Sequence, residues 1–182
     1  MIVIIGESGS GKSTLQELLV ASDSKYKKLV TYTTRPMREG EVDGESYHFI
    51  SPESFSELEK RDFFAEYAEY RGWKYGTAKA DCESENVVAV LTPSGMRALK
   101  RLGYPIVSVY LYVDRRSRLI SILNRGDDIE ECYRRNLTDV GQFDQIDKEV
   151  DYVIENINFH MNPEQTLRCL QAILKVEEEK YA

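Results

Sequence analysis

"IVIIGESGSGKST" (residues 2–14) decides the fold. Ile2 to Ile5 is a short, fully apolar, largely β-branched run that stops at a glycine, the pattern of a strand buried on both faces of a parallel sheet. Lys12 to Val20 then has helical spacing. Between them, Gly6, Gly11, Lys12 and Ser13 occupy every fixed position of G-x-x-x-x-G-K-[ST]. Glycines in such a loop let backbone N–H groups turn inward around phosphate oxygens, and the helix start adds positive potential. Lys12 is placed to reach the terminal phosphates, and the Ser13 hydroxyl is the candidate ligand for Mg²⁺. The candidate triphosphate-binding residues are therefore Gly6, Glu7, Ser8, Gly9, Ser10, Gly11, Lys12, Ser13 and Thr14. The loop alone does not separate a kinase from a GTPase, a motor or a regulatory ATPase.

Composition narrows the classes. A chain of 182 residues, 42% of them hydrophobic, is long enough for one substantial core with room for an inserted subdomain. With 24 basic and 31 acidic residues the formal charge is −7, which argues against a general affinity for nucleic-acid polymers but not against a nucleotide monomer. Cys82, Cys132 and Cys169 are too scattered for a disulfide framework or a zinc site. "MIVII" is far shorter than a signal-peptide core or a membrane span, so a cytoplasmic protein without a membrane partner is expected.

Further along the chain, apolar runs recur at "NVVAVL" (86–91), "IVSVYLYV" (106–113) and "DYVIEN" (151–156), with helical patterns at about 94–103, 115–124 and 163–180. This rhythm predicts an α/β architecture, the three-layer P-loop NTPase fold around a mostly parallel central sheet. Residues 33–78 break the rhythm with short aromatic strands and Gly, Pro and charged turns, which read as a small antiparallel insert. Residues 125–147 are polar with a thin apolar stripe, as expected of a helical lid that spends time away from the core. The core then comprises residues 1–32, 79–124 and 148–182, all within one domain. His48 and His160 have no nucleophile or metal partner nearby in sequence and read as structural.

"TYTTRPMREGEVDGESYHFIS" (31–51) and "FFAEYAEYRGWKYGT" (63–77) closely resemble the monophosphate-binding insert of guanylate kinases, as do the phosphate loop, the "RG" at 125–126 and "DYVIEN". The resemblance spans nearly the whole chain. Two guanidinium forks, Arg35 and Arg38, beside the Tyr47 hydroxyl suit a doubly charged phosphomonoester in any case. The resemblance implies that these three and Tyr75 hold the phosphate of GMP, with Glu41 supporting an arginine. Guanine presents adjacent N1–H and N2–H₂ donors that match one carboxylate, a role that falls to Glu66, with the Thr31 and Thr77 hydroxyls serving the base. Of the lid arginines, Arg125 and Arg135 match family positions in preference to Arg134 and would stabilise the transferring phosphoryl group from ATP. Asn156 matches a residue near the donor. Arg115, Arg116 and Arg118 form a basic run that reads at least as well as a solvated helix start.

The chain departs from the family on the strand after the insert. There "VLTPSG" (90–95) stands where guanylate kinases have D-x-D-x-x-G, so Val90 and Thr92 replace two aspartates, one near metal and phosphates and one beside the acceptor. Ser121 replaces a lid-helix arginine. The expected activity is ATP-dependent, Mg²⁺-assisted phosphorylation of GMP or dGMP, with Thr92 among the acceptor-binding residues. The alternatives are a kinase of another small phosphomonoester, and a nucleotide- or protein-binding module with little turnover.

Overall fold

The computed structural model describes residues 1–38, 40–70, 72–124, 126 and 128–180. The apolar run at the start forms strand β1 (Ile2–Ile5), and helix α1 (Lys12–Ser22) follows the glycine loop. The edge strand β2 (Lys27–Lys28), then β7 (Val87–Val90), β8 (Val107–Tyr112) and β9 (Tyr152–Glu155) complete a sheet in the order β2-β7-β1-β8-β9. Every pairing in it is parallel. Val3, Ile4 and Ile5 are wholly buried because helices cover both faces. Val3, Ile5, Ala89, Leu91 and Tyr110 face one layer, with Met96 and Leu99 of α4 (Pro93–Arg101). Ile2, Ile4, Val88, Val109 and Leu111 face the other, against Leu15 and Leu19 of α1 and Leu170 and Leu174 of α7 (Pro163–Lys180).

Residues 32–78 build a second sheet, ordered β4-β3-β6-β5, from β3 (Tyr32–Thr33), β4 (His48–Phe49), β5 (Phe64–Tyr70) and β6 (Trp73–Ala78). Its longer pairings are antiparallel, and β4 joins β3 in parallel at the edge. Aromatic packing supplies its core: Phe55, wholly buried, stacks on Phe64 with ring centroids 4.4 Å apart, and His48 lies 4.5 Å from Tyr32. His48 thus packs as a structural side chain. Phe55 belongs to α2 (Pro52–Lys60), a helix whose start carries Ser51 as cap, accepting the Ser54 N–H, and Pro52 in the first turn. The short α3 (Lys79–Cys82) returns the chain to the main sheet.

Helices α5 (Arg115–Asn124) and α6 (Ile129–Asp139) stand beyond β8. Arg115 and Arg116 are exposed, as a solvated helix start requires. Arg118 is not. It is buried, its Nε donating to the Val113 carbonyl at 2.9 Å and its Nη1 to the Ser8 carbonyl at 3.3 Å, so that reading is corrected for this residue.

Candidate active site

The phosphate loop leaves the carboxyl end of β1, the central strand, and turns into α1. Ligands of open α/β sheets bind outside such strand ends, where the strand order reverses. Gly9 adopts φ of +81°, and a Cβ there would meet the Arg118 carbonyl at 2.7 Å, so the loop closes only with glycine at this point. The Lys12 ammonium donates to the Glu7 carbonyl at 2.9 Å. The Glu7 carboxylate is buried, accepts the Tyr110 hydroxyl at 3.0 Å and lies 3.4 Å from Arg118. Burial and the adjacent Glu7 push the Tyr110 phenol well above its ordinary range, so it stays a donor.

A cleft of about 510 Å³ runs from this loop to the second sheet. Gly6, Ser8, Gly9, Lys12 and Ser13 form one wall; Thr31, Arg35, Arg38, Glu41, Tyr47, Glu66, Trp73 and Tyr75 line the other. Thr92 and Arg135 also face it. Arg125 lies outside the described residues.

Arg35 is 5% exposed and gripped by Glu41: Nη1 donates to Oε2 at 3.0 Å and Nη2 to Oε1 at 2.6 Å. The Arg38 N–H donates to the same carboxylate at 2.7 Å. Burial alone would raise the Glu41 carboxyl, but the Arg35 fork, the Arg38 amide and the two positive charges together hold it below its usual range. The Arg35 guanidinium lies over the Tyr47 ring, 5.3 Å from its centroid, and Tyr75 stands 6.0 Å from Tyr47. Burial, with Tyr75 alongside, raises the Tyr47 phenol, keeping it a hydroxyl donor.

Deeper in the cleft, Glu66 is 8% exposed and accepts the Thr77 hydroxyl at 2.5 Å. Thr77 itself is fully buried behind the carboxylate. Burial lifts the Glu66 carboxyl above its ordinary range, and the Thr77 hydrogen bond only partly opposes it. Gly95, in the first turn of α4, makes room for it, since a Cβ there would lie 3.0 Å from Glu66 Oε2. Thr92 caps the same helix, its Oγ1 accepting the Gly95 N–H at 3.2 Å and lying 2.9 Å from Ser94 Oγ.

On the other side of the loop, a cavity of about 740 Å³ is bounded by Gly9, Ser10, Gly11 and Thr14, by α5, and by the turn from Asn156 to Asn162. Among the described residues, no charged side chain lines it. The Asn156 amide builds this wall: Nδ2 donates to the Met161 carbonyl at 3.0 Å and Oδ1 accepts the Met161 N–H at 2.8 Å. Asp114 fastens the turn to α5 by accepting the Asn158 and Ser117 N–H groups, which pull its carboxyl down to about 2. Sequence reading missed Asp114, although an Asp three residues before Ser117 at a helix start is a capping signal. It also missed Asp139 at the end of α6, which lines the first cleft and accepts the Ser8 N–H at 2.8 Å. Nothing in the local sequence marks that contact.

The fold compares well with known proteins. A family model described as guanylate kinase matches residues 1–177. The chain is 33% identical to a guanylate kinase of Haemophilus influenzae (strain 86-028NP), covering 97% of this chain and 88% of that one. It is 34% identical to a guanylate kinase of Wolinella succinogenes, over 96% and 84% of the two chains. The crystal structure of guanylate kinase from Anaplasma phagocytophilum superposes with a TM-score of 0.74 at 22% identity, covering 97% of this chain and 85% of that one. With a phosphate loop at the head of a parallel sheet, an arginine cluster facing it from an inserted sheet, and these matches running nearly end to end, the chain belongs to the guanylate kinase family.

Proposed function

We propose that the chain transfers the γ-phosphoryl group of ATP to GMP or dGMP, with the phosphate loop and the uncharged cavity behind it taking the donor and the cleft facing the inserted sheet taking the acceptor. The observation that carries this reading is the convergence of Lys12, the Arg35–Glu41 pair and the buried Glu66 on one cleft. Arg35, with Arg38, Tyr47 and Tyr75, meets the acceptor phosphate. Glu66 accepts from guanine N1–H and N2–H₂, with Thr77 fixing its orientation and Thr31 and Thr92 beside the base. Arg135, joined by Arg125, balances charge on the transferring phosphoryl group, while Lys12 holds the donor's terminal phosphates. The acceptor is already an oxyanion, so catalysis is positioning and charge stabilisation rather than base chemistry.

The donor set at the loop fits Mg²⁺. Ser13 offers a hydroxyl at the cleft wall, and Mg²⁺ normally takes few protein oxygens, completing its shell with substrate phosphates and water. Bound with ATP, the ion supplies charge neutralisation to the phosphates, and Ser13 would hold it. In this reading residues 33–78 are the acceptor-binding insert, 125–147 the lid and the remainder the core, working in the cytoplasm on free nucleotides.

A coupled assay over the common nucleoside monophosphates tests the reading. GMP and dGMP should be the preferred acceptors, and Lys12→Ala should cost about 10²–10³ in kcat, the scale of losing one preorganised charge-stabilising donor. Preference for AMP or a pyrimidine would remove the guanine assignment. Wild-type turnover in Lys12→Ala would remove the mechanism.

A further inference from the structure

Asp139 touches the phosphate loop from an element that is remote in sequence. Its Oδ2 accepts the Ser8 N–H at 2.8 Å and lies 4.0 Å from Arg118 Nη1. Arg118 in turn donates to the Ser8 carbonyl at 3.3 Å and pairs with Glu7 at 3.4 Å. Ser8 is therefore held on both sides of its backbone, the carbonyl by α5 and the N–H by the last residue of α6. The carboxylates of Asp139 and Glu7 and the guanidinium of Arg118 are each about nine-tenths shielded from solvent, with side-chain exposures of 10%, 11% and 8%. Shielded contacts of this kind are far less screened than surface pairs, so they fix geometry.

Arg135 lies one helical turn before Asp139 on α6, and side chains four apart share a helix face. Both line the same cleft. We propose that Asp139 is the positioning residue for Arg135: by seating the end of α6 on the Ser8 amide, it holds the preceding turn at the height where Arg135 faces the phosphate loop. This inference rests on the reading of Arg135 as a charge-stabilising group in phosphoryl transfer. The link runs from Asp139 to the loop, and from Asp139 back through one turn of helix to Arg135, so that loop and arginine keep a fixed separation. Misplacing such a group by about 1 Å can cost about 10²-fold in rate.

The test is a double-mutant cycle in the full-length protein, with ATP and GMP kinetics and thermal denaturation measured for each variant. Asp139→Ala leaves Arg118 paired with Glu7, so no lone buried charge results and the fold should survive. Its kcat is expected to fall by about 10- to 100-fold. The KM for GMP should change little, because none of the proposed acceptor residues lies on α6. Asp139→Asn keeps an oxygen for the Ser8 N–H and should recover most of the loss. Combined with Arg135→Ala, Asp139→Ala should add little further loss, because both remove one function. Fully multiplicative losses would overturn the proposal, as would unchanged kcat in Asp139→Ala. A lower KM for ATP in Asp139→Ala would also overturn it, making the carboxylate a group that blocks the loop. If Arg135→Ala turns over like the wild type while the wild type phosphorylates GMP, the Arg135 assignment and this proposal fail together and the family reaction stands.

Discussion

Glu66 is held in the free protein at a cost. Its carboxyl is raised by burial, so the folded state favours the protonated form; stability from this group is present below the unfolded carboxylate pKa and is lost as pH rises through the raised folded value. Glu66→Gln keeps an oxygen for the Thr77 hydroxyl and removes the charge. The variant should have the higher Tm at about pH 8, with the difference closing toward about pH 4, where both unfolded and folded carboxyls are increasingly protonated. Calorimetry at the two pH values checks this. In the proposed site the same change turns one acceptor for guanine into a donor, so discrimination of GMP against AMP should fall by roughly 1–3 kcal/mol. A variant that is destabilised at high pH and keeps full discrimination would detach Glu66 from both arguments. At this scale the clustering of Arg35, Arg38, Glu41 and Tyr47 on one cleft was legible in the sequence because they share one stretch of chain, and Glu41 does grip Arg35. Arg118 was not legible, since its burial depends on Glu7 and Ser8, contacts made only when α5 packs on the loop.

Among the elements, α4 carries the departure from the family. Thr92 is its N-cap, accepting the Gly95 N–H, and it faces the cleft next to Glu66. Aspartate caps helices at least as well as threonine and adds favourable charge at the helix start. Thr92→Asp should therefore keep its Tm within a few degrees while raising kcat/KM for GMP, mainly through KM, because a contact to the base is present in ground and transition states alike. Unchanged or lower kcat/KM with an intact fold would mean that this position serves another acceptor. The buried strands β1, β7 and β8 were readable from apolar runs alone. Among the elements that were not are β2 and α2. β2 is an edge strand of two lysines, with no hydrophobic pattern to announce it, and α2 was passed over although Ser51 and Pro52 mark its start.

For the whole molecule, the sheet order sets β1 in the middle, between β7 and β8, so the loop opens at the centre of the edge formed by the strand ends. The inserted sheet then faces that edge across the cleft. A net charge of −7 coexists with a cleft whose described lining sets Lys12, Lys28, Arg35, Arg38 and Arg135 against Glu17, Glu41, Glu66 and Asp139, so the cleft is less acidic than the chain as a whole. The general plan of parallel sheet, insert and remaining helices was legible from the alternation of apolar runs and helical patterns. The crossing of β4 beside β3, and the seating of α6 on the loop, depend on contacts between distant segments and left no local trace. The chain has one tryptophan, Trp73, and it lines the cleft from β6 of the inserted sheet, the side proposed for the acceptor. Excited at wavelengths that pass over the 12 tyrosines, it serves as the protein's own optical probe. Titrated with GMP, its emission should change saturably; with ATP alone, taken up behind the loop, it should stay nearly constant. The opposite pattern would exchange the two nucleotide sites, and the wild-type chain, unlabelled, is enough to tell them apart.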